Sequence, residues 1–380
     1  MDTMTASRSI RSAITARADA PGAADDLAAQ LGDAAPTALF FFCSAAHDGA
    51  ALGGALSARY PGAVVAGCTS VGEFVEGRGG AGGVAALALG AETVSRATVE
   101  LARFDGGDAE AAVLRAAGRL AERHGVRIAD ADPARFAGVV LVDGNRGQGD
   151  AVNHALAMAA PQLVFVGGSA ADEWKFAESR VFVGGEATDD GAVLVLLEMA
   201  VPFTVVKTCS FEPLTGAFTV TRADEPARVV HELDGRPAAE VYAETVGVPV
   251  HALDLGVFMR HPLGMMIDGE AFIRSPNRVS PDGGLMFQAR VDEGMGLHVM
   301  RGTDLVGETR VALEAARDRL GGRIGGALSF NCALRLLEMN AGGLHQPFLE
   351  LFEFPMAGFH TFGESYLVQL NHTYTGLAIA

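Results

Sequence analysis

Lysine is almost missing from this 380-residue chain, which has only Lys175 and Lys207. Neither follows a glycine, so the phosphate loop G-x-x-x-x-G-K-[ST] is excluded, and Walker-type nucleotide hydrolysis with it. Positive charge is short overall, with 29 Lys and Arg against 46 Asp and Glu and a net charge of −17. Such a surface repels phosphate backbones and anionic lipid heads over a Debye length, so neither nucleic acid nor membrane is an expected partner. Cysteine is scarce too. Cys43, Cys68, Cys209 and Cys332 lie too far apart for a C-x-x-C zinc or redox pair, a C-x-x-C-H haem attachment or a disulfide framework, which fits a reducing compartment. The longest hydrophobic stretch, Ala192 to Val206, is cut by Glu198 and Pro202, and the first residues carry no apolar signal core. A cytoplasmic location is expected. His231-Glu232 is followed by Leu-Asp-Gly, so the H-E-x-x-H zinc motif is absent.

Glycine is plentiful, at 48 residues, and 49% of the chain is hydrophobic. These proportions describe a folded, loop-rich chain long enough for two to three domains. One pattern recurs: an apolar run ending in cysteine, a helix, a second run ending in A-G-x-x-[ST]-x-G-E, and a closing strand. The first copy holds Ala38 to Cys43 and Ala66 to Glu73, and the last holds Ala327 to Cys332 and Ala357 to Glu364. A looser copy between them runs through Gly138 to Asn145 and Leu163 to Asp172, matching in spacing more than in letters. Short apolar runs alternating with helical stretches predict an α/β (α+β) fold of internally duplicated mixed sheets with helices packed on them. Helices are expected over Asp108 to His124, stopped by Gly125, over Thr303 to Leu320, before Gly321-Gly322, and over Leu334 to Leu351. The segment Val229 to Val246, with a turn at Asp234-Gly235 and Pro237 at a first helical position, changes the rhythm and places a boundary near residue 225.

Each copy sets a hydroxyl three residues before a carboxylate: Ser70 and Glu73, Ser169 and Asp172, Thr361 and Glu364. A helix capping box accounts for one such pair. No helical run follows Glu73, however, and a glycine beside a carboxylate at the end of a strand is where open α/β sheets hold small ligands. Arg335, three residues after Cys332, offers a fork for a carboxylate or phosphate. The loop from Asn145 to Asp150 lacks the third glycine of a dinucleotide fingerprint and reads as a pocket loop. The run Gly167-Gly168-Ser169-Ala170-Ala171 approaches a nucleophile elbow without its last glycine, which leaves a Ser169-dependent hydrolase as the alternative. A histidine could hold haem b through one axial bond, which leaves no spacing signature. His298 is the first choice and His261 the runner-up.

The paired A-G-x-x-[ST]-x-G-E loops, Glu232-Leu-Asp-Gly-Arg-Pro-Ala and Phe330-Asn-Cys-Ala-Leu-Arg335 resemble the FIST sensory family over nearly the whole chain. The resemblance implies an extension over 1–34, a FIST N-terminal domain over 35–225 and a C-terminal domain over 226–380. It also implies a non-enzymatic ligand sensor in bacterial-type signal transduction, whose ligands are small molecules such as amino acids. One branch of the family binds haem and senses nitric oxide. With no output segment of its own in this sequence, the chain is expected to act on a separate histidine kinase or cyclic-di-GMP enzyme. Its expected ligand contacts are Cys332, Arg335, Thr361, Gly363, Glu364 and Asn371, with Thr69, Glu73 and Asn145 at the related loops. His360 departs from the family pattern by placing an imidazole where a smaller residue is usual.

Overall fold

A computed structural model describes residues 9–380 and shows a mixed α/β fold with two compact units. The larger comprises residues up to Lys207, Arg310–Gln369 and Tyr374–Ala380, and the smaller Thr208–Thr309 and Leu370–Thr373. The position near residue 225 thus falls inside the smaller unit.

The larger unit is one design used three times. The first repeat runs β1 (Ile10–Thr15), α1 (Ala20–Leu31), β2 (Pro36–Ser44), α2 (Gly49–Arg59), β3 (Val64–Ser70), a hairpin of β4 (Glu73–Val75) and β5 (Arg78–Gly80), then β6 (Val84–Gly90). The second runs β7 (Val94–Arg103), α3 (Ala109–His124), β8 (Phe136–Val142), α4 (Gly149–Ala159), β9 (Phe165–Ser169), a hairpin of β10 (Val181–Val183) and β11 (Glu186–Thr188), then β12 (Gly191–Met199). The third opens with β13 (Phe203–Cys209), and the smaller unit follows it in the chain. That unit contains β14 (Phe211–Pro213), β15 (Phe218–Asp224), β16 (Val229–Leu233), β17 (Arg236–Pro237), α5 (Ala238–Val246), α6 (Leu255–Arg260), β18 (Leu263–Ile267), β19 (Glu270–Arg274), β20 (Pro276–Val279), β21 (Leu285–Phe287) and β22 (Gly296–Gly302). The third repeat resumes with α7 (Leu305–Arg319), β23 (Gly326–Cys332), α8 (Ala333–Gly342), α9 (His345–Leu349), β24 (Met356–Thr361), a hairpin of β25 (Glu364–Tyr366) and β26 (Val368–Leu370), and β27 (Thr373–Ile379). Residues 10–31 are therefore part of the first repeat and not a separate extension.

Local chemistry explains the helix ends. Asp19, Asp108 and Asp304 accept the N–H groups of Gly22, Ala111 and Gly307 at the starts of α1, α3 and α7. Gly125, Gly321 and Gly322 adopt the positive φ that ends α3 and α7. Gly343, at φ 65°, splits the expected Leu334 to Leu351 helix into α8 and α9. Pro237 sits just before α5, at its cap, and not inside it.

The three sheets have the orders β1-β6-β2-β3-β10-β11, β7-β12-β8-β9-β25-β26 and β13-β27-β23-β24-β4-β5. In each, the repeat's own four strands are completed by another repeat's hairpin. The first lends its hairpin to the third, the third to the second, and the second to the first. Where the chain crosses over, three backbone bonds close a ring: Val71 N–H to His360 O (3.2 Å), Ala171 N–H to Thr69 O (2.9 Å) and Phe362 N–H to Ser169 O (3.1 Å). Alternation along the strands sends Phe40, Phe42, Val139, Leu141, Phe330 and Phe359 into one shared core, while Phe41 packs with the residues of α1 and α2 on the other face.

This arrangement accounts for the first glycine of the repeated motif. A Cβ on Gly67, Gly167 or Gly358 would lie 2.3, 1.7 or 2.4 Å from the carbonyl oxygen of Phe41, Val140 or Ser329 on the neighbouring strand. Backbone cannot retreat from such a contact without breaking the sheet. Gly167→Ala is expected to lower the free energy of unfolding by about 2–3 kcal/mol. Urea denaturation checks this, and an unchanged midpoint would contradict the close approach.

Candidate functional site

The ring of backbone bonds aligns the three motifs residue by residue. Thr69, Ser169 and His360 supply its acceptors, and four residues beyond each stands a glutamate: Glu73, Glu173 and Glu364. The pairing of Ser169 with Asp172 is corrected by this register, because Ala170 stands where Ser70 and Thr361 stand. Ser70 Oγ donates to Glu73 and Thr361 Oγ1 to Glu364, all four residues being buried. No helix follows either pair, so they are hydroxyl–carboxyl locks at the roots of the exchanged hairpins and not capping boxes.

Asp172 has a different task. It accepts backbone N–H groups from Phe176, Ala177 and Glu178 and the side chain of Asn145, and so holds the loop leading to β10. Burial alone would raise its pKa, but these donors together hold it below the ordinary value. Asn145 thus serves loop architecture, its own N–H bonding to Asp143 at 3.1 Å. Thr69 Oγ1 accepts the Arg180 N–H at 3.0 Å.

Ser169 lies within β9, its N–H donating to Gly363 O at 2.7 Å, and the chain continues into the loop before β10. A nucleophile elbow needs a sharp strand-to-helix turn, so this serine lacks that geometry. Gly363 also donates its N–H to Thr361 Oγ1 at 3.2 Å.

Of the motif acids Glu73 and Glu173, the pKa of Glu73 is raised and that of Glu173 lowered. Burial pushes Glu73 up to about 8, against the pull of Ser70 and the Gly83 N–H and with a further push from Glu173. The neighbouring Cys43 thiol is raised well above its ordinary value by burial and then by these two glutamates. It is a packed, protonated thiol and not a nucleophile. Cys332 is likewise buried, paired in register with Thr361.

The third repeat gathers a buried polar cluster where β23 and β24 meet α8. Arg335, in the first turn of α8, is completely buried and donates from Nε to Asn331 Oδ1 at 2.9 Å. Asn331 Nδ2 lies 2.9 Å from His360 Nδ1. The His360 ring packs against Phe74 at 4.9 Å and His345 at 5.6 Å between ring centroids. Three buried polar atoms here have no hydrogen-bond partner: Glu338 Oε2, His345 Nε2 and His360 Nε2. Burial pushes His360 down to about 3, helped by His345 and Arg335, and it lowers His345 as well. Burial raises Glu338, against the pull of Arg335. Asn331, Glu338 and His345 escaped sequence reasoning. The spacing of Glu338 three residues beyond Arg335 on α8 was the available signal for that acid, whereas Asn331 sits on β23, outside the helix.

The remaining expected contacts lie in the smaller unit. Asn371 Oδ1 accepts the Ser275 N–H at 3.3 Å. His261 and His298 each place Nδ1 near a backbone carbonyl, of Met300 at 3.3 Å and of Thr215 at 2.9 Å. Opposite His298 in the sheet stands Gly264, and a Cβ there would meet Ile273 at 3.0 Å and Met300 at 3.4 Å. The space beside His298 on that side is filled by side chains, and no step is drawn through haem.

The FIST N domain matches residues 37–236 of the chain. The chain belongs to the FIST family. The FIST C domain matches residues 238–366, so the pair spans both compact units and reaches the third repeat's motif. No curated protein matches the chain in sequence. FIST domains are associated with small-ligand-binding sensors in signal transduction, and this FIST chain has, among its described residues, no helix long and apolar enough to cross a membrane.

Proposed function

We propose that this FIST protein is a cytoplasmic sensor of a free amino acid, bound beneath α8 and α9, that acts on a separate histidine kinase or cyclic-di-GMP enzyme. The observation carrying this reading is the group of three unpartnered buried polar atoms beside a fully buried arginine. Buried polar groups are ordinarily paired, so three orphans in one cluster mark a place for a polar ligand or ordered water. Glu338 offers an acceptor for an ammonium group, and the positive field of Arg335 favours a carboxylate. Thr361 and Glu364 shape the same repeat by fixing the root of its hairpin.

A route for a signal is present. The Gly77 N–H at the tip of the first repeat's hairpin donates to Leu349 O in α9 at 3.2 Å, and the His360 N–H donates to Gly72 O at 2.9 Å at its root. A ligand that tightens α8 and α9 would stabilise one arrangement of this exchanged hairpin, to the extent of its differential affinity.

Calorimetric titration with each of the twenty amino acids tests the reading. At least one is expected to bind, and Glu338→Gln should weaken it by about 1–3 kcal/mol through loss of a charge-assisted bond. Affinity should also rise with pH, because the ammonium needs Glu338 ionised and burial holds its pKa above the ordinary value. Silence across the panel would contradict the amino-acid reading.

A further inference from the structure

Resting on that same proposed site, the polarity of one hydrogen-bond chain specifies what it recognises. A guanidinium only donates, so the Asn331 atom facing Arg335 Nε is the carbonyl oxygen. The other end of the amide is then an NH2 donor, and it faces His360 Nδ1. That ring nitrogen must accept. In a neutral imidazole one nitrogen accepts and the other carries the proton, and burial holds His360 neutral. Its proton therefore sits on Nε2, which is buried and has no partner.

We infer that Asn331 is a positioning residue that locks His360 with its Nε2–H aimed at an acceptor oxygen, making this the carboxylate-recognising end of the ligand pocket. Arg335 Nε, Asn331 and His360 form a relay in which the always-charged arginine sets the amide and the amide sets the imidazole. His345, whose proximity helps hold His360 down, is itself disfavoured as a cation by burial, so it stands beside the His360 ring as a neutral imidazole. An ammonium has only donors to offer, so it is rejected at His360 and directed elsewhere in the pocket. A buried N–H left unmade discriminates strongly against a ligand lacking the acceptor.

The test is long-range 1H–15N correlation spectroscopy on histidine-labelled protein, with sodium acetate and methylammonium chloride as probes. Wild type should show His360 in the Nε2–H tautomer. Acetate should shift its Nε2 resonance and methylammonium should not. Asn331→Asp, accepting from both Arg335 and the ring, should move the proton to Nδ1 and weaken the acetate response at least tenfold. A wild-type Nδ1–H tautomer overturns the relay even if amino acids bind. The expected tautomer with no acetate response, or with equal responses to both probes, overturns the carboxylate assignment and leaves ordered water as the partner. An acetate response alongside a silent amino-acid panel would retain this inference and remove only the amino-acid reading. The wild-type measurement decides the relay even where Asn331→Asp fails to fold.

Discussion

Arg335→Ala is expected to destabilise the protein by about 3–5 kcal/mol and to abolish ligand binding. The side chain is among the largest that are completely buried, so truncation leaves a void between α8 and the sheet. It also strips Asn331 Oδ1 of its donor, leaving the amide held only through Nδ2, by the Cys332 carbonyl and His360 Nδ1, so its orientation and the His360 tautomer are less firmly fixed. Glu338 would lose the one charge that lowers its pKa and would hold its proton more tightly. Arg335→Lys keeps the charge but loses the planar fork, so binding should fall while part of the stability returns. Denaturant unfolding of both variants separates the effects. A change of less than about 0.5 kcal/mol in Arg335→Ala, the range of ordinary surface substitutions, would contradict the buried role.

The second large effect is a stability plateau bounded on both sides. Glu73 has an ordinary pKa of 4.5 and a folded value of about 8. Between these the folded protein keeps a proton that the unfolded chain has released, so stability falls as pH rises, by about 1.4 kcal/mol per pH unit. His360 has an ordinary pKa of 6.5 and a folded value of about 3. Between these the unfolded chain takes up a proton that the folded protein refuses, so stability falls as pH drops. The two slopes cancel from pH 4.5 to 6.5. The two groups together predict losses of about 2 kcal/mol from pH 6.5 to 8, and again from 4.5 to 3. Glu73→Gln mimics the protonated acid and should flatten the alkaline limb, and with its cancelling slope gone the acid limb should begin at pH 6.5 in place of 4.5. Denaturant midpoints across this pH range check both limbs, and an unaltered alkaline limb in Glu73→Gln would contradict a neutral, buried Glu73.

Much of the fold is legible in the sequence where side-chain size is forced by backbone. Gly67, Gly167 and Gly358 are dictated by a neighbouring carbonyl, so the repeat shows in letters at both ends. The ring of exchange bonds uses backbone groups only, which leaves its acceptor positions free to be Thr69, Ser169 or His360. That freedom hides the middle repeat and explains why the motif's spacing in it outlasts its letters. It also led the hydroxyl-to-acid spacing to Asp172, where hydrogen-bond register selects Glu173. Hairpin exchange and the unit placed within the third repeat are invisible for another reason: they pair strands far apart in the chain. In the site, Arg335 was legible as a possible fork, and His360 as an anomaly. Their connection through Asn331 depends on the register of β23 with β24, which pairs Asn331 with His360 and which no local pattern announces.

The most direct measurement is a high-resolution crystal structure of the protein grown with the tightest-binding amino acid of the calorimetric panel. The account predicts continuous, ligand-sized density joining Glu338 Oε2 to His360 Nε2, with a carboxylate oxygen at hydrogen-bond distance from the imidazole. Isolated waters at those atoms, with the amino acid bound at another place on the chain, would contradict it.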